Sequence, residues 1–258
     1  MNVKKVFPVT ILACLFLASC SSRDDTAKAH LARAENLLRA SRVREARREI
    51  DSLIHRLPTS YSVRSTATSL YLKYELWSDA ARQIEQILDL SAKGKLDKKL
   101  SREELAHWRL TLGLAWQNAR EVERAERAFE SALRAAPQSA QLMNALAYFY
   151  AEEGIKLKKA LALARRAVKL APCNGAIVDT LGWVEYKLGR YKSAARTLAK
   201  AVRLMPDDAT LRYHLAAAYS KLGLIEEARI ELNKALLLDP NHREARTLLR
   251  SLQIRLRK

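Results

Sequence analysis

Residues that could perform catalysis are present, but they are not spaced as catalytic or metal sites require. The 258-residue chain has five isolated histidines and three cysteines, so no cluster reaches the ligand count of a metal site. No GxSxG, HExxH, CxxC or P-loop motif occurs. Adjacent carboxylates occur at Glu103-Glu104, Glu152-Glu153 and Glu226-Glu227, but helix neighbours point about 100° apart and do not form an acid/base pair. The sequence therefore predicts a protein that is not an enzyme and holds neither metal nor cofactor.

The first twenty residues predict export and a covalent lipid. Lys4 and Lys5 precede an apolar stretch over residues 6–16, the pattern of a secretory signal that is too short to span a bilayer. The next four residues, Leu17-Ala18-Ser19-Cys20, resemble a bacterial lipobox. The resemblance implies a diacylglycerol on the Cys20 thiol and a fatty acyl chain on its new amino group, enough for stable anchoring. The alternative is an ordinary cleaved signal with an incidental cysteine, which would leave a soluble protein.

The residue after Cys20 indicates which membrane the lipid-anchored protein would reach. By resemblance to lipoproteins of two-membrane bacteria, Asp directly after the lipidated cysteine favours the inner membrane, and this chain has Ser21 there. We therefore expect a cell-envelope protein, lipid-anchored to the outer membrane and facing the periplasm. Residues 1–19 would be the signal peptide, and residues 20–26 the lipidated cysteine and a polar tether. Cys173 then stays as a lone thiol, either incidental or able to form a mixed disulfide.

The composition favours helices and a folded core. Apolar residues make up 49% of the chain, charged residues 29% and aromatic residues 7%, which is not the composition of a disordered chain. Seven glycines and six prolines are few for this length, and the apolar residues are mainly Ala and Leu. The composition therefore does not favour a β-sandwich or barrel, and it predicts an all-α fold.

Four prolines recur at an almost constant interval. Pro137, Pro172, Pro206 and Pro240 are separated by 35, 34 and 34 residues, which indicates a solenoid of helix pairs. Pro58 lies 79 residues before Pro137, so two further repeats and one insertion fit between them. The repeat register therefore extends towards the N-terminus.

Residues 106–242 resemble the tetratricopeptide-repeat family, in four repeats at 106–139, 140–174, 175–208 and 209–242. The shared pattern is Leu and a small residue, mostly with an aromatic three residues on, followed by Ala, a large apolar residue and Pro. In the first repeat these places hold Leu112-Gly113, Trp116, Ala125, Phe129 and Pro137.

Residues 27–94 are weaker matches, either two degenerate repeats or plain helical hairpins. The family resemblance implies an all-α, right-handed α-solenoid of stacked helix-turn-helix repeats. A basic insertion is expected at 95–105 and a capping helix at 243–258. With its lipobox, the chain resembles a tetratricopeptide-repeat bacterial lipoprotein.

The resemblance also implies a groove lined by the first helix of each repeat. Its second, fifth, ninth and twelfth residues face this groove in the family. Aromatic, amide and carboxylate groups at these places predict a peptide-binding surface made of Asn144, Tyr148, Asp179, Trp183, Tyr186 and Tyr213. Alternatively, Trp183 and Tyr148 pack between adjacent repeats. Lysine and asparagine do not occupy the places of a chaperone-type carboxylate clamp.

The positive charge is concentrated on the second helices, which the resemblance places on the convex side. Two consecutive second helices contain no acidic residue, and we call their cations the basic belt. The belt is Lys158, Lys159, Arg165, Arg166, Lys169, Arg190, Lys192, Arg196, Lys200 and Arg203. It would suit anionic lipid, an acidic polymer or an acidic partner, or it is simply a solvated surface. Nucleic acid is not expected as a partner, because aromatics are not interleaved with the basic run.

Two functions fit these features. The first is a membrane-anchored scaffold or adaptor that binds a peptide or protein partner during assembly of an outer-membrane, pilus, secretion or polysaccharide-export machine. The alternative is a regulatory adaptor that docks an envelope hydrolase or protease.

Overall fold

The structure, a computed structural model, describes residues 22–255. These residues form thirteen α-helices and no β-strand, which confirms the all-α fold. The signal peptide predicted at 1–19 and the lipidation site predicted at Cys20 lie outside the described residues. The described chain divides into two compact units, residues 22–136 and residues 137–255.

The N-terminal unit consists of three consecutive helix pairs. Its helices are α1 (Ser22–Arg39), α2 (Val43–Arg56), α3 (Tyr61–Lys73), α4 (Trp77–Ala92), α5 (Arg102–Asn118) and α6 (Val122–Ala135). The two helices of each pair contact one another, and α5 also packs on α4. Tyr71 and Ile84 are buried in this unit, as their places in the repeat pattern predict. Residues 27–94 are therefore helical hairpins with their own buried contacts.

The C-terminal unit consists of three helix pairs and one last helix. Its helices are α7 (Ala140–Glu153), α8 (Leu157–Leu170), α9 (Gly175–Lys187), α10 (Tyr191–Leu204), α11 (Ala209–Lys221), α12 (Ile225–Leu238) and α13 (Arg243–Arg255). The last helix, α13, packs on α12 and α11. Ala245 and Leu252 of α13 are fully buried, so this helix covers the apolar end of the last pair.

Polar side chains start the first helices of the C-terminal unit, and glycines follow their ends. The side chains of Ser139 and Asn174 accept hydrogen bonds from backbone N–H groups three residues later, at 3.3 and 3.2 Å. Such caps satisfy donors that have no partner within the helix. Gly154 and Gly189 follow the ends of α7 and α9 with φ of 68° and 74°, a left-handed conformation that glycine adopts without strain.

Glycine also allows the two helices of a pair to approach closely. A Cβ atom on Gly182 would lie 2.6 Å from Leu198 Cγ, and one on Gly113 would lie 2.7 Å from the Phe129 ring. Both positions are the small residue of the repeat pattern. The tight contact between first and second helices therefore depends on the missing side chain.

The insertion between α4 and α5 is fastened to the preceding pair. The Asp97 carboxylate accepts a hydrogen bond from the Tyr61 backbone N–H at 2.7 Å, and Leu100 is buried. Ser101 and Glu104 form a capping box that starts α5. The basic segment therefore packs on the turn before α3, and residues 102–105 of the expected insertion form the first turn of α5.

The start of the described chain differs from expectation. We expected a tether over residues 21–26, but α1 begins at Ser22, so that expectation is wrong from Ser22 onward. Ala27 and Ala34 are buried in the N-terminal unit. Alanine-rich sequence and Asp25 near the N-terminus both favour a helix here, and they extend it towards Cys20.

Candidate functional site

The first helices of the C-terminal unit form one continuous layer. Helix α7 contacts α9, α9 contacts α11, and α11 contacts α13, whereas successive second helices of this unit share no comparable contact. The layer of first helices is therefore the more tightly packed one and lies on the inner side of the curve. All six residues predicted to line a groove belong to this layer, on α7, α9 and α11.

Trp183 lies at the base of this layer and is 6% exposed. Its ring stacks on Tyr186 with centroids 4.7 Å apart and on His214 with centroids 4.0 Å apart. Its indole N–H donates to a Glu152 carboxylate oxygen at 2.7 Å. Trp183 therefore packs between adjacent repeats, and the interpretation of this side chain as an exposed anchor is corrected.

A second polar contact ties α9 to α11 at the same depth. His214 Nδ1 lies 2.9 Å from one Asp179 carboxylate oxygen, and since a carboxylate only accepts, Nδ1–H is the donor. Both side chains are almost fully buried, and so is Asn144. The Asn144 Oδ1 atom accepts no hydrogen bond from the described residues. Asn144 and Asp179 thus belong to the base of the layer, beneath any surface that a partner could reach.

The tyrosines lie nearer the surface. Tyr148, Tyr186 and Tyr213 are all partly exposed. Burial raises the pKa of Tyr148 well above its usual range, and the Glu152 and Asp179 carboxylates add to this. Burial raises the pKa of Tyr213 to about 12, with smaller contributions led by Tyr186. A tyrosine phenol is uncharged at neutral pH, so these side chains can donate hydrogen bonds from an aromatic surface.

An open cleft of about 570 Å³ lies between α9, α11 and α13 and adjoins this base at Tyr186 and Tyr213, whose rings contact Trp183. Tyr186 and Tyr213 line it, joined by Lys221 and Arg243 as cations and Glu244 as an acid. Its remaining lining residues are small, hydroxyl-bearing or aliphatic: Ala217, Ser220, Thr247, Leu248 and Ser251. We call this the inner cleft. Its size and mixed lining suit a short stretch of polypeptide.

Several inner-cleft residues were missed by sequence reasoning, which treated residues 243–258 only as a cap. Counting Arg243 as the first residue of another repeat places Glu244, Thr247 and Ser251 second, fifth and ninth, the groove-facing places. All three line the cleft. Extending the register by one helix would have found them. His214 and Glu152 lie outside those places, and no sequence pattern identified them.

The ten basic-belt residues are all exposed on α8, α10 and the turn before α10. None lines the inner cleft. The belt is therefore a surface separate from the cleft. Between α8 and α9, Cys173 is a free and exposed thiol.

Comparison with known proteins identifies the repeats. Two family models, both described as tetratricopeptide repeat, match residues 110–174 and 185–252. TPR repeat-containing protein PA4667 of Pseudomonas aeruginosa is 37% identical over 65 residues. That match covers 25% of this chain and 11% of the relative, so the chain spans a small part of that protein's length.

Solved structures share the fold. MamA MSR-1 is 25% identical with a TM-score of 0.50, over 69% of this chain and 94% of that one. TTC0263 of Thermus thermophilus is 20% identical with a TM-score of 0.55, over 73% and 100%. YrrB is 20% identical with a TM-score of 0.50, over 77% and 96%. With the family matches and the helix pairs described above, these similarities identify the chain as an all-α solenoid built from tetratricopeptide repeats, a fold of the kind that serves as a protein–protein interaction scaffold.

Proposed function

We propose that this protein is a lipid-anchored scaffold of the bacterial cell envelope that binds a peptide or protein segment in the inner cleft. The observation that carries the proposal is the open cleft of about 570 Å³, whose Tyr186 and Tyr213 adjoin a base that is already hydrogen-bonded and stacked. A rigid base lowers the entropy lost when a segment binds.

The lining of the inner cleft specifies how a segment would be held. Tyr186 and Tyr213 present flat aromatic area with few rotatable bonds, a common source of binding energy at interfaces. Lys221 and Arg243 on one hand and Glu244 on the other can pair with charges of either sign. YrrB is described as a TPR protein with an unusual peptide-binding site, which supports peptide binding as a use of this fold.

The anchor is the second part of the proposal. It rests on Leu17-Ala18-Ser19-Cys20 and on Ser21, which favours delivery to the outer membrane. No helix among the described residues is both long and apolar enough to cross a bilayer. Replacing Cys20→Ala should abolish labelling by a radioactive fatty acid and should release the protein or leave it unprocessed. Labelling that survives the replacement contradicts the anchor.

The identity of the partner protein distinguishes the assembly scaffold from the regulatory adaptor. The tagged chain, expressed in its native host, is crosslinked and recovered from the membrane fraction. Components of an outer-membrane, pilus, secretion or polysaccharide-export machine support the assembly scaffold. A peptidoglycan hydrolase or a protease supports the regulatory adaptor instead. Tetratricopeptide-repeat proteins are generally non-enzymatic scaffolds, and we propose no reaction for this chain.

The same capture tests the inner cleft. Tyr213→Ala should weaken partner binding by about 2 kcal/mol, the scale of an aromatic hot spot. Tyr74→Ala is the matched control, because Tyr74 is also a partly exposed tyrosine but belongs to the N-terminal unit. Recovery that is equal for both variants, with folding verified by circular dichroism, contradicts binding in the cleft.

The basic belt has a role of its own in the proposal, as a contact for anionic lipid or an anionic polymer. Reversing Arg165, Arg166 and Arg196 to Glu should abolish salt-sensitive sedimentation with phosphatidylglycerol vesicles and leave partner capture unchanged. Absence of sedimentation by the unaltered protein would reduce the belt to a solvated surface.

A further inference from the structure

The N-terminal unit contains a second, smaller cleft of about 310 Å³ between α4, α5 and α6. Leu112, Trp116 and Ala128 are buried and form its apolar base, with Leu88 beside them. Ser131 and four charged residues complete the lining. We call it the arginine cleft, for the three arginines Arg109, Arg124 and Arg127.

The three arginines differ in what they already contact. The Arg124 guanidinium carbon lies 4.5 Å from the centre of a Trp116 ring, and Arg124 Nε lies 4.0 Å from a Glu121 carboxylate oxygen. Arg109 and Arg127 make no hydrogen bond or ion pair with any described residue. Two permanently charged, fork-shaped donors therefore line this cleft with their hydrogen-bonding capacity unused.

Glu85 is the one acidic residue that lines the arginine cleft. One of its carboxylate oxygens accepts the Trp116 indole N–H at 3.2 Å. Three guanidinium groups against one carboxylate leave the cleft with a net positive charge. The cleft thus favours an anionic occupant.

We propose that the arginine cleft binds an acidic segment of a protein partner, in which carboxylates alternate with apolar side chains. Carboxylates of the segment pair with Arg109 and Arg127, and an apolar side chain packs on Leu88, which is partly exposed beside the buried base. The volume accommodates one or two side chains. A lipid headgroup or polyphosphate would satisfy the guanidinium groups but would bring no apolar side chain to Leu88, whereas an acidic and apolar peptide satisfies both.

This site is independent of the inner cleft, because each lies within its own compact unit and shares no lining residue with the other. It adds a second docking surface to the scaffold. Failure of the inner cleft to bind a partner would leave this proposal standing.

The test uses the chain from Ser21 onward, which contains every described helix. Two dye-labelled peptides serve as probes, one alternating glutamate with leucine and the other glutamine with leucine. Fluorescence anisotropy at low ionic strength should show binding of the glutamate peptide and much weaker binding of the glutamine peptide. Equal binding of both peptides, or binding of neither, overturns the proposal.

Four variants locate the binding. Arg109→Gln and Arg127→Gln should each weaken binding of the glutamate peptide by about tenfold, the effect of one charged hydrogen bond. Glu85→Gln removes the opposing charge and keeps an acceptor for Trp116, so binding should strengthen by roughly threefold. Arg102→Gln is the control, since Arg102 is an exposed arginine of the same helix α5 outside the cleft.

The pattern of these variants decides between a site and general charge attraction. An equal loss in Arg102→Gln and Arg109→Gln would show attraction to net positive charge, and no gain in Glu85→Gln would show that the peptide does not lie in the cleft. Either result overturns the proposal. Stronger competition by phosphatidylglycerol vesicles than by unlabelled glutamate peptide would assign the cleft to lipid and overturn it also. Thermal unfolding of each variant checks that the fold is retained.

Discussion

Two buried tryptophans, one in each unit, make the same hydrogen bond and yet lie at different surfaces. Trp116 donates to Glu85 at 3.2 Å and Trp183 to Glu152 at 2.7 Å, and each acceptor lies 31 residues before its donor. Trp116 is the eleventh residue of its repeat and Trp183 the ninth. Two residues correspond to about 200° around a helix, so Trp116 faces the second helix α4 and Trp183 the first helix α7.

The difference teaches that the neighbours, and not the tryptophan, decide what a surface can bind. Trp183 stacks on Tyr186 and His214, and Glu152 also pairs with Lys187 at 3.6 Å. This base is complete, and the open space lies beside it, beyond Tyr186 and Tyr213. Near Trp116 the arginines are only partly paired, so the open space there is charged and reaches the tryptophan itself.

The largest expected effect is on stability. Trp183→Ala and Trp116→Ala should each lower the free energy of unfolding by about 3–5 kcal/mol, because each removes a buried indole. Urea denaturation measures this, with Trp77→Ala as a control because Trp77 is partly exposed. A loss under about 1 kcal/mol for Trp183→Ala would restore it as an exposed anchor.

A smaller loss of stability is expected for substitutions at the contact between the two helices of a pair. Gly182→Leu and Gly113→Leu should each cost about 1–3 kcal/mol, since even a Cβ atom would meet Leu198 or Phe129. Ala162→Leu, on the exposed side of α8, should leave the melting temperature almost unchanged. If only one of the two glycine substitutions lowered stability, the two units would not share the same close contact between the helices of a pair.

Replacing each indole by a phenyl ring separates the two hydrogen bonds. Trp183→Phe should cost about 1–2 kcal/mol more than the lost ring area explains, because the Glu152 side chain is only 14% exposed and loses a donor. Trp116→Phe should show little of this extra loss, since Glu85 is exposed and water can replace the donor. Equal extra losses in the two variants would contradict the contrast between the surfaces.

The smallest expected effect is a pH dependence at the inner cleft. Burial raises the pKa of Tyr213 from its usual 10.0 to about 12, so the folded state holds this proton more tightly than the unfolded state. The corresponding stability is present below pH 10 and is lost as the pH rises towards 12. Tyr213→Phe should show a shallower decline over this range, measured by urea denaturation, and an unchanged slope would contradict the burial of the phenol.

The fold was predictable because the repeat pattern places proline, glycine and alanine at fixed intervals. Gly182 and Gly189 illustrate this, one at the helix contact and one at a left-handed turn. The site was predictable only in part. Tyr186 and Tyr213 line the inner cleft, but Trp183 is also an aromatic residue at a groove-facing place and is buried by its partners His214 and Glu152.

The arginine cleft had no signal in the sequence. Its residues come from three helices, and Arg109 and Arg127 are two of many cations in a chain of net charge +18. Contact between helices selects which cations lack a carboxylate partner, and repeat periodicity does not encode that selection. The prediction of a tether after Cys20 was wrong for a related reason. Burial of Ala27 and Ala34 stabilises α1, and the helix also includes the polar residues 22–26 that suggested a linker.

Photo-crosslinking from inside the inner cleft tests the central claim most directly. Thr247, in the wall of the cleft, is replaced by benzoylphenylalanine, and Ile230, exposed on the outer helix α12, carries the same replacement as the matched control. Irradiation of whole cells should then give a discrete covalent adduct from position 247 that Tyr213→Ala abolishes, and none from position 230. Adducts from position 230 alone, or an adduct at 247 that is indifferent to Tyr213→Ala, would contradict partner binding in this cleft.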